Sequence, residues 1–214
     1  MDTKVRSIIA VCSLTLLLSG ASGINSAGAA VILPGNHPQT DENVLFNEAG
    51  LIGTGPTVQG ITNNTNFIVT FTGDGETLTT PAGGQARIEA LDHAFDFLRV
   101  EIVNGVFRSI ILNLDALAKG SVAFTTDEVG SAPVVSSLFA LGNGSNFFTL
   151  TSLVGFEKIS LATDVGVTAI GLADAGQFRI GGVTATPEPA SLVMWSLITL
   201  SATAFAVKVR RTKT

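Results

Sequence analysis

The chain is poor in the side chains that build catalytic and metal centres. Its 214 residues include one cysteine, two histidines, one tryptophan and no tyrosine. The single cysteine, Cys12, lies in an amino-terminal segment that has the pattern of a signal peptide. The mature chain is therefore expected to have no disulfide and no thiol ligand, and its stability must come from a hydrophobic core alone.

The scarcity of histidine also limits the chemistry that the chain can perform. A nucleophile, a base and an orienting acid are needed for triad catalysis, and only His37 and His93 are available as imidazole bases. We interpret His37 as a solvated loop residue, and the charged stretch Asp92, His93 and Asp96 as a turn between strands. The sequence also has no G-x-S-x-G, H-E-x-x-H or phosphate-binding glycine motif.

Basic residues are scarce in the body of the chain, which we take as residues 30–186. This stretch has 15 acids and six bases, so its net charge is about −9. Such a surface repels phosphate backbones and anionic lipid, which disfavours nucleic-acid binding. It suits divalent cations or neutral glycans, and it also serves solubility outside the cell.

The amino-terminal segment is predicted to be a signal peptide over residues 1–29. Lys4 and Arg6 are followed by an apolar core at residues 8–18 and by Ala27 and Ala29, which form an A-x-A cleavage pattern. A lipoprotein site at Cys12 is rejected because the residue before it is a valine. We expect a helical signal peptide that is removed on export.

The carboxyl-terminal segment, residues 186–214, has three parts. A Pro187-Glu188-Pro189 turn precedes 18 uncharged residues, 190–207. As a helix these would span about 27 Å, close to the roughly 30 Å of a bilayer core. A basic cluster then favours a cytoplasmic end. The segment is predicted to be a transmembrane helix with an exposed collar, and its basic residues are Lys208, Arg210, Arg211 and Lys213.

This three-part tail resembles the PEP-CTERM sorting signal of exported bacterial proteins. The resemblance implies recognition by an exosortase, a transient anchor in the inner membrane and cleavage near Pro187-Glu188-Pro189. The body would then reach the cell surface or the extracellular space, in bacteria that make exopolysaccharide. The resemblance covers the tail only.

The body is predicted to be a β-sandwich domain over residues 44–185, preceded by a flexible lead-in at residues 30–43. Short runs of Val, Ile, Phe and Thr alternate with turn residues, and no βαβ pattern occurs. Asn104-Gly105 predicts a type I′ hairpin. The fold class is therefore all-β, an antiparallel sandwich of jelly-roll type. In the second half we expect strands at residues 121–126, 134–141, 146–152, 157–162, 165–171 and 177–183.

The body also resembles a group of β-sandwich domains in other PEP-CTERM proteins. Four segments carry the resemblance, and none is a specific chemical signature. It supports fold and location and implies no activity. The segments are residues 85–90, 113–114, 142–148 and 177–182.

Two kinds of ligand chemistry remain for the body. Glu89 and Glu101 could pair as glycosidase carboxylates, but the body has no Trp or Tyr to stack on a sugar, and its phenylalanines suit a core better. Calcium is the more plausible ligand because loops between strands offer hard oxygen atoms. The candidate calcium ligands are Asp74, Asp92, Asn143 and Asp174.

These observations predict a non-enzymatic, surface-sorted protein of the envelope or biofilm matrix. The alternative is an extracellular glycan-binding module, with calcium as an optional cofactor and exopolysaccharide as a partner. A polysaccharide hydrolase is a third reading.

Overall fold

All paired strands of the body run antiparallel. The computed structural model describes residues 30–81, 87–163 and 171–186, and within these ranges every regular element is a β-strand. The strands are β1 (Val31–Pro34), β2 (Asp41–Leu45), β3 (Thr54–Gly55), β4 (Thr57–Thr62), β5 (Ile68–Thr72), β6 (Leu78–Thr79), β7 (Arg87–Ala90), β8 (Phe97–Ile102), β9 (Gly105–Ala116), β10 (Gly120–Glu128), β11 (Val134–Val135), β12 (Phe139–Leu141), β13 (Gly144–Ala162), β14 (Leu172–Gly181) and β15 (Thr184–Ala185). The all-β antiparallel prediction is confirmed.

The predicted two-sheet sandwich is wrong, because seven strands pair in a closed ring. The ring runs β13, β8, β5, β4, β2, β14, β9 and returns to β13. Closure depends on β13, whose first half pairs with β9 and whose second half pairs with β8. The sequence suggested two separate strands there. Gly155, with a φ of +102°, lies between the two paired halves and allows one long strand to pair with both β9 and β8.

The predicted flexible lead-in, residues 30–43, instead contains two strands. β1 pairs with β13, and β2 pairs with β14. Residues 35–40, here called the strap, therefore cross from the β13 edge to the β14 edge of the three strands β13, β9 and β14. The His37 amide donates to Thr149 Oγ1 at 3.0 Å, and that hydroxyl donates to the Gly35 carbonyl at 2.9 Å. The partners are more than 100 residues away, so local sequence could not reveal this order.

The predicted type I′ hairpin at Asn104-Gly105 is wrong, because β8 and β9 do not pair with each other. β8 pairs with β5 and β13, whereas β9 pairs with β13, β14 and β15, so β13 lies between them in the ring. β8 and β9 flank Asn104, as predicted, and Leu98, Val100 and Ile102 are buried on one face of β8. A type I′ turn needs positive φ at both central residues. Asn104 has a φ of 54°, whereas Gly105 does not lie in that region; a Cβ at 105 would come within 2.7 Å of the Ile102 side chain. Gly105 is therefore required for space.

The interior is one hydrophobic cluster rich in phenylalanine. Phe71 from β5 meets Phe178 from β14 at a ring-centroid distance of 4.6 Å, and both lie beside Phe46. Phe124 and Phe148 form a second aromatic group with a centroid distance of 5.0 Å. The prediction that phenylalanine serves mainly as core is confirmed, since seven phenylalanines are among the largest fully buried side chains.

Within the described ranges, no helix has the length and apolar character needed to cross a bilayer. The predicted signal peptide, the sorting tail and most of the predicted strand at residues 165–171 lie outside the described residues. Their named residues are Ala27 and Ala29, Pro187, Glu188 and Pro189, and the basic cluster Lys208, Arg210, Arg211 and Lys213.

Candidate functional site

Polar residues from four neighbouring strands lie in register on one face of the barrel. β9 is central: Asp115 is opposite Ser145 of β13 and opposite Asp174 of β14, which is in turn opposite Glu89 of β7. Directly opposed residues of antiparallel strands share a face. The four side chains therefore form one cross-strand row, here called the acidic row.

A second row lies two residues further along the same face. It places Phe147 of β13, Asn113 of β9, Gly176 of β14 and Arg87 of β7 in line. The glycine has no side chain, so space remains between the asparagine and the arginine. Six of the eight residues in the two rows line a surface cleft, and Glu89 and Phe147 lie beside it.

The cleft has a volume of about 270 Å³. Its lining is almost entirely polar, and it is built on strands rather than on loops. Sites held by regular elements keep their geometry more tightly than sites on loops. The lining residues are Arg87, Asn113, Asp115, Ser145, Asp174, Gly176 and Gln177.

Like charges face each other in the acidic row. Partial burial of Asp174 raises the pKa of its carboxyl above the ordinary value of 3.8, and the neighbouring Asp115 charge raises it further. Arg87 opposes the shift, and Glu89 adds to it. Opposed like charges destabilise a sheet. Carboxyl groups with pKa values perturbed by burial and by neighbouring charges cluster at functional sites.

The amide end of the cleft is held firmly. Asn113 is only 8% exposed, and its Oδ1 accepts a hydrogen bond from Ser145 Oγ at 2.7 Å. The adjacent Asn146 closes the turn before β13: its Oδ1 accepts from the Gly142 amide at 2.7 Å, and its Nδ2 donates to the Gly142 carbonyl at 3.0 Å. The predicted turn at residues 142–145 is confirmed at 142–143 only, because Gly144 and Ser145 already belong to β13; it fixes the start of β13 beside the cleft.

A bulge in β14 forms the other wall. The register with β9 shifts between Gly176 and Arg179, and Gln177 has a φ of 53°. The extra residue brings the exposed Gln177 side chain to the cleft lining while Phe178 stays in the core. Bulges often redirect a side chain next to a site in this way.

One aromatic ring shares the face of the cleft. Phe147 is opposite Asn113 and is half-buried. Its ring makes none of the aromatic contacts that hold the core phenylalanines together within the described chain. Among the described residues, Phe147 is thus the aromatic side chain that lies beside the polar cleft with part of its ring exposed to solvent.

The structure does not bring the four predicted calcium ligands together in one site. Asp174 lies in the cleft, whereas Asp92 lines a different surface pocket with Gly75 and Glu76. Asp74 and Asn143 are exposed turn residues. Within the described ranges, no three His, Cys, Asp or Glu side chains are grouped to hold a metal. Calcium binding remains a prediction, and Asp174 is the one of the four that lies in the cleft.

The predicted glycosidase pair is also separated. Glu89 accepts from Arg87 Nε at 2.7 Å on β7, while Glu101 lies on β8, which does not pair with β7. His93 adopts a φ of 70° in the tight turn after β7, as the turn prediction required.

Sequence reasoning missed Asn113, Asp115 and Ser145. A signal was present, because Asn113 and Asp115 alternate with leucine and alanine inside a strongly apolar strand. Polar residues at alternate positions of such a strand indicate a functional face.

Comparisons with known proteins give no assignment. No protein-family model matches the chain, and no curated protein matches it. Two solved structures align with it: a mutant of CBM29-2, studied for ligand recognition by family 29 carbohydrate-binding modules, and BiXyn10A CBM1 in its apo form. The first is 9% identical over 72% of this chain and 89% of its own, with a TM-score of 0.25. The second is 12% identical over 74% and 98%, with a TM-score of 0.23. Similarity this low assigns no function.

Proposed function

We propose that the protein is a non-enzymatic, exported polysaccharide-binding protein whose cleft holds a neutral sugar unit. The observation that carries the proposal is the pair of in-register rows, which arranges carboxylates, an amide and a guanidinium on a rigid sheet. Such groups match the hydroxyls of a sugar, each of which both donates and accepts hydrogen bonds.

The polar groups of the cleft complement sugar hydroxyls in both directions. Asp115 and Asp174 accept hydrogen bonds, and Arg87 donates them. Asn113 Oδ1 is already engaged by Ser145, which leaves its Nδ2 oriented by that contact. Hydrogen bonds to charged groups contribute about 1.5–3 kcal/mol each when both partners are satisfied.

The charge of the cleft selects against anionic sugars. Asp115 and Asp174 line the cleft with one guanidinium, that of Arg87, which already pairs with Glu89, and the body as a whole is acidic. A uronic acid or a sulfated sugar would add a like charge to a row that already contains opposed acids. Neutral polysaccharide is the expected ligand class.

The cleft also limits the affinity. Its 270 Å³ is below the about 300–1,000 Å³ of most small-molecule sites, so it accommodates little more than a single sugar ring. Phe147 is the one ring available for stacking. We expect a dissociation constant on the order of 0.1–1 mM for a short oligosaccharide, and stronger retention on a polymer that presents many units.

The cellular location of the protein is also part of the proposal. The PEP-CTERM-like tail supports sorting by an exosortase to the cell surface, where a neutral exopolysaccharide would be met. Replacing Pro187, Glu188 and Pro189 by alanine should leave export intact and abolish carboxyl-terminal processing, measured by comparing the intact masses of the cellular and the released protein. Unchanged processing in this variant would contradict the sorting proposal.

The binding proposal is tested with the exported protein and a panel of neutral and anionic polysaccharides. Affinity electrophoresis should show retardation by one or more neutral polymers and none by polyuronates. Asp115→Asn should weaken retention about tenfold, the equivalent of one lost charged hydrogen bond. Glu101→Gln, on a strand outside the cleft, is the matched control and should bind normally.

Two outcomes would contradict the proposal. If no neutral polymer in the panel retarded the protein, the proposed binding function would be contradicted. Release of reducing ends, lost in both Asp115→Asn and Asp174→Asn, would show that the opposed carboxylates are catalytic and that the protein is a hydrolase.

A further inference from the structure

The first residue of the described body lies against a buried carboxylate. The backbone nitrogen of Ala30 is 3.2 Å from Glu128 Oε2, at the end of β10. The alanine is part of the fold, because it is partly buried and packs against the hydrophobic core. The site is therefore a feature of the barrel and not of a loose end.

Glu128 is 5% exposed, yet it has no cationic partner in the described part of the chain. Its Oε1 accepts a hydrogen bond of 2.5 Å from Ser152 Oγ, and the same Ser152 oxygen accepts from the Val154 and Gly155 amides. Burying a carboxylate without a counter-charge is costly. The arrangement provides hydrogen bonds around Glu128 but leaves its charge uncompensated.

The sequence provides the missing charge. The A-x-A pattern formed by Ala27 and Ala29 predicts cleavage directly before Ala30. We propose that this cleavage turns the Ala30 nitrogen into an α-ammonium that forms an ion pair with Glu128. The site is an internal ammonium-binding pocket, completed only in the exported protein.

The proposed step is an ordinary hydrolysis. The bond between the Ala29 carbonyl carbon and the Ala30 nitrogen breaks, and water supplies the hydroxyl to the carbon and a proton to the nitrogen. The new carboxyl group of Ala29 releases its proton to solvent, and the new amine takes one up. An amide that donated one hydrogen bond becomes a cation with three donors beside a buried carboxylate.

Maturation would thereby stabilise the barrel at the junction of three strands. Ala30 precedes β1, Glu128 ends β10, and Ser152 lies in β13. The ion pair joins the chain end to β10, and Glu128 is hydrogen-bonded in turn to Ser152 of β13, the strand that closes the ring. A precursor, or a chain cut elsewhere, would keep the buried acid and lack its partner.

The experiment uses full-length protein exported by cells and purified after processing. Mass spectrometry gives the first residue, and acylation of the α-amine at neutral pH, followed by peptide mapping, gives its accessibility. We expect a chain that begins at Ala30, with an α-amine acylated about tenfold more slowly than in Glu128→Gln. Glu157→Gln, an exposed acid on β13, is the matched control and should behave as the natural protein.

A displaced terminus provides an independent readout. Inserting Gly-Ser between Ala29 and Ala30 should lower the thermal midpoint by roughly 6–12 °C, the shift expected when one buried partner is removed. The loss should shrink when Glu128→Gln is added, and it should disappear at alkaline pH, where the amine is neutral. A different first residue, equal acylation in Glu128→Gln, or additive effects of the two changes would each overturn the proposal.

Discussion

The cleft face and the opposite sheet of the barrel use charge in contrasting ways. On the opposite sheet, Glu101 faces Lys158, which faces Asp127, so that the signs alternate along the row. Lys158 Nζ is 3.0 Å from Asp127 Oδ2. In the acidic row of the cleft, Asp115, Asp174 and Glu89 follow one another with no cation between them.

The two surfaces therefore differ in how neighbouring side chains balance their charges. Both rows are cross-strand ladders on rigid sheet, so backbone geometry does not distinguish them. On the opposite sheet, Lys158 lies between two acids and pairs with Asp127. In the cleft, by contrast, Arg87 pairs with Glu89 and leaves Asp115 and Asp174 opposed to each other. The cleft keeps opposed carboxylates and an oriented amide. A ligand that hydrogen-bonds to these groups would offset the repulsion between the carboxylates, and this gain would contribute to binding.

The largest expected effect concerns the strap that crosses the cleft-side sheet. A Cβ on Gly181 would come within 2.3 Å of the Thr40 carbonyl oxygen and 2.5 Å of Ser109 Oγ. Gly181→Ala should therefore destabilise the protein by about 1–3 kcal/mol, as overpacking does. Urea unfolding measures this change.

The matched control for the strap is Gly142→Ala in the turn before β13. There an added Cβ would meet only Asn146 Oδ1, at an ordinary 3.5 Å. A Gly181→Ala protein as stable as this control would show that the strap does not rest on the sheet.

A smaller effect of opposite sign is expected at Asp174. Because the folded-state pKa of Asp174 is raised, its charged form weakens the fold at neutral pH, and that cost is lost as pH falls. Asp174→Asn should stabilise the protein by about 0.2–1 kcal/mol at pH 7, the range for opposed like charges. The same change should weaken polysaccharide retention.

The gain in Asp174→Asn should shrink as the pH falls through the unfolded pKa of 3.8, and it should vanish well below that pH, where the carboxyl is protonated in both states. Asp74→Asn, in an exposed turn, is the control and should alter neither stability nor binding. Unfolding curves at pH 7 and pH 3.5 test the sign. A destabilised Asp174→Asn at pH 7 would argue against an unsatisfied acidic row.

The smallest effect is expected on the opposite sheet. Lys158→Ala removes one ion pair whose lysine side chain is 48% exposed, so the cost should be about 0.2–1 kcal/mol and should shrink in high salt. Lys119→Ala, in the exposed turn before β10, is the matched control. Polysaccharide binding should be unchanged in both variants, since neither lysine lies in the cleft. Loss of binding in Lys158→Ala would instead place the ligand on the opposite sheet and contradict the assignment of the site to the cleft.

The strand content of the body was readable from sequence because burial imposes a period of two on each strand. Val69 and Phe71 of β5, and Leu98 and Val100 of β8, illustrate this, and all four are buried as expected. The turn before β13 was equally readable from its glycines. The closed ring was not, because Gly155 resembles a turn residue and conceals one long strand.

The candidate site was least accessible to sequence reasoning. Ser145, Asp115, Asp174 and Glu89 come from four separate strands, and only pairing register places them in a row. Three of the four predicted calcium ligands, Asp74, Asp92 and Asn143, lie in turns outside this row.

The sequence alone determined that the body is antiparallel β-structure with a phenylalanine-rich core, because these properties follow from local periodicity and composition. It also contains the signals from which export and sorting are predicted. Tertiary structure alone decided that the ring closes, that the strap crosses the sheet and which acids lie face to face. Each of these depends on hydrogen-bond register between residues far apart in the chain, and a shift of one residue would turn every side chain of a strand to the other face.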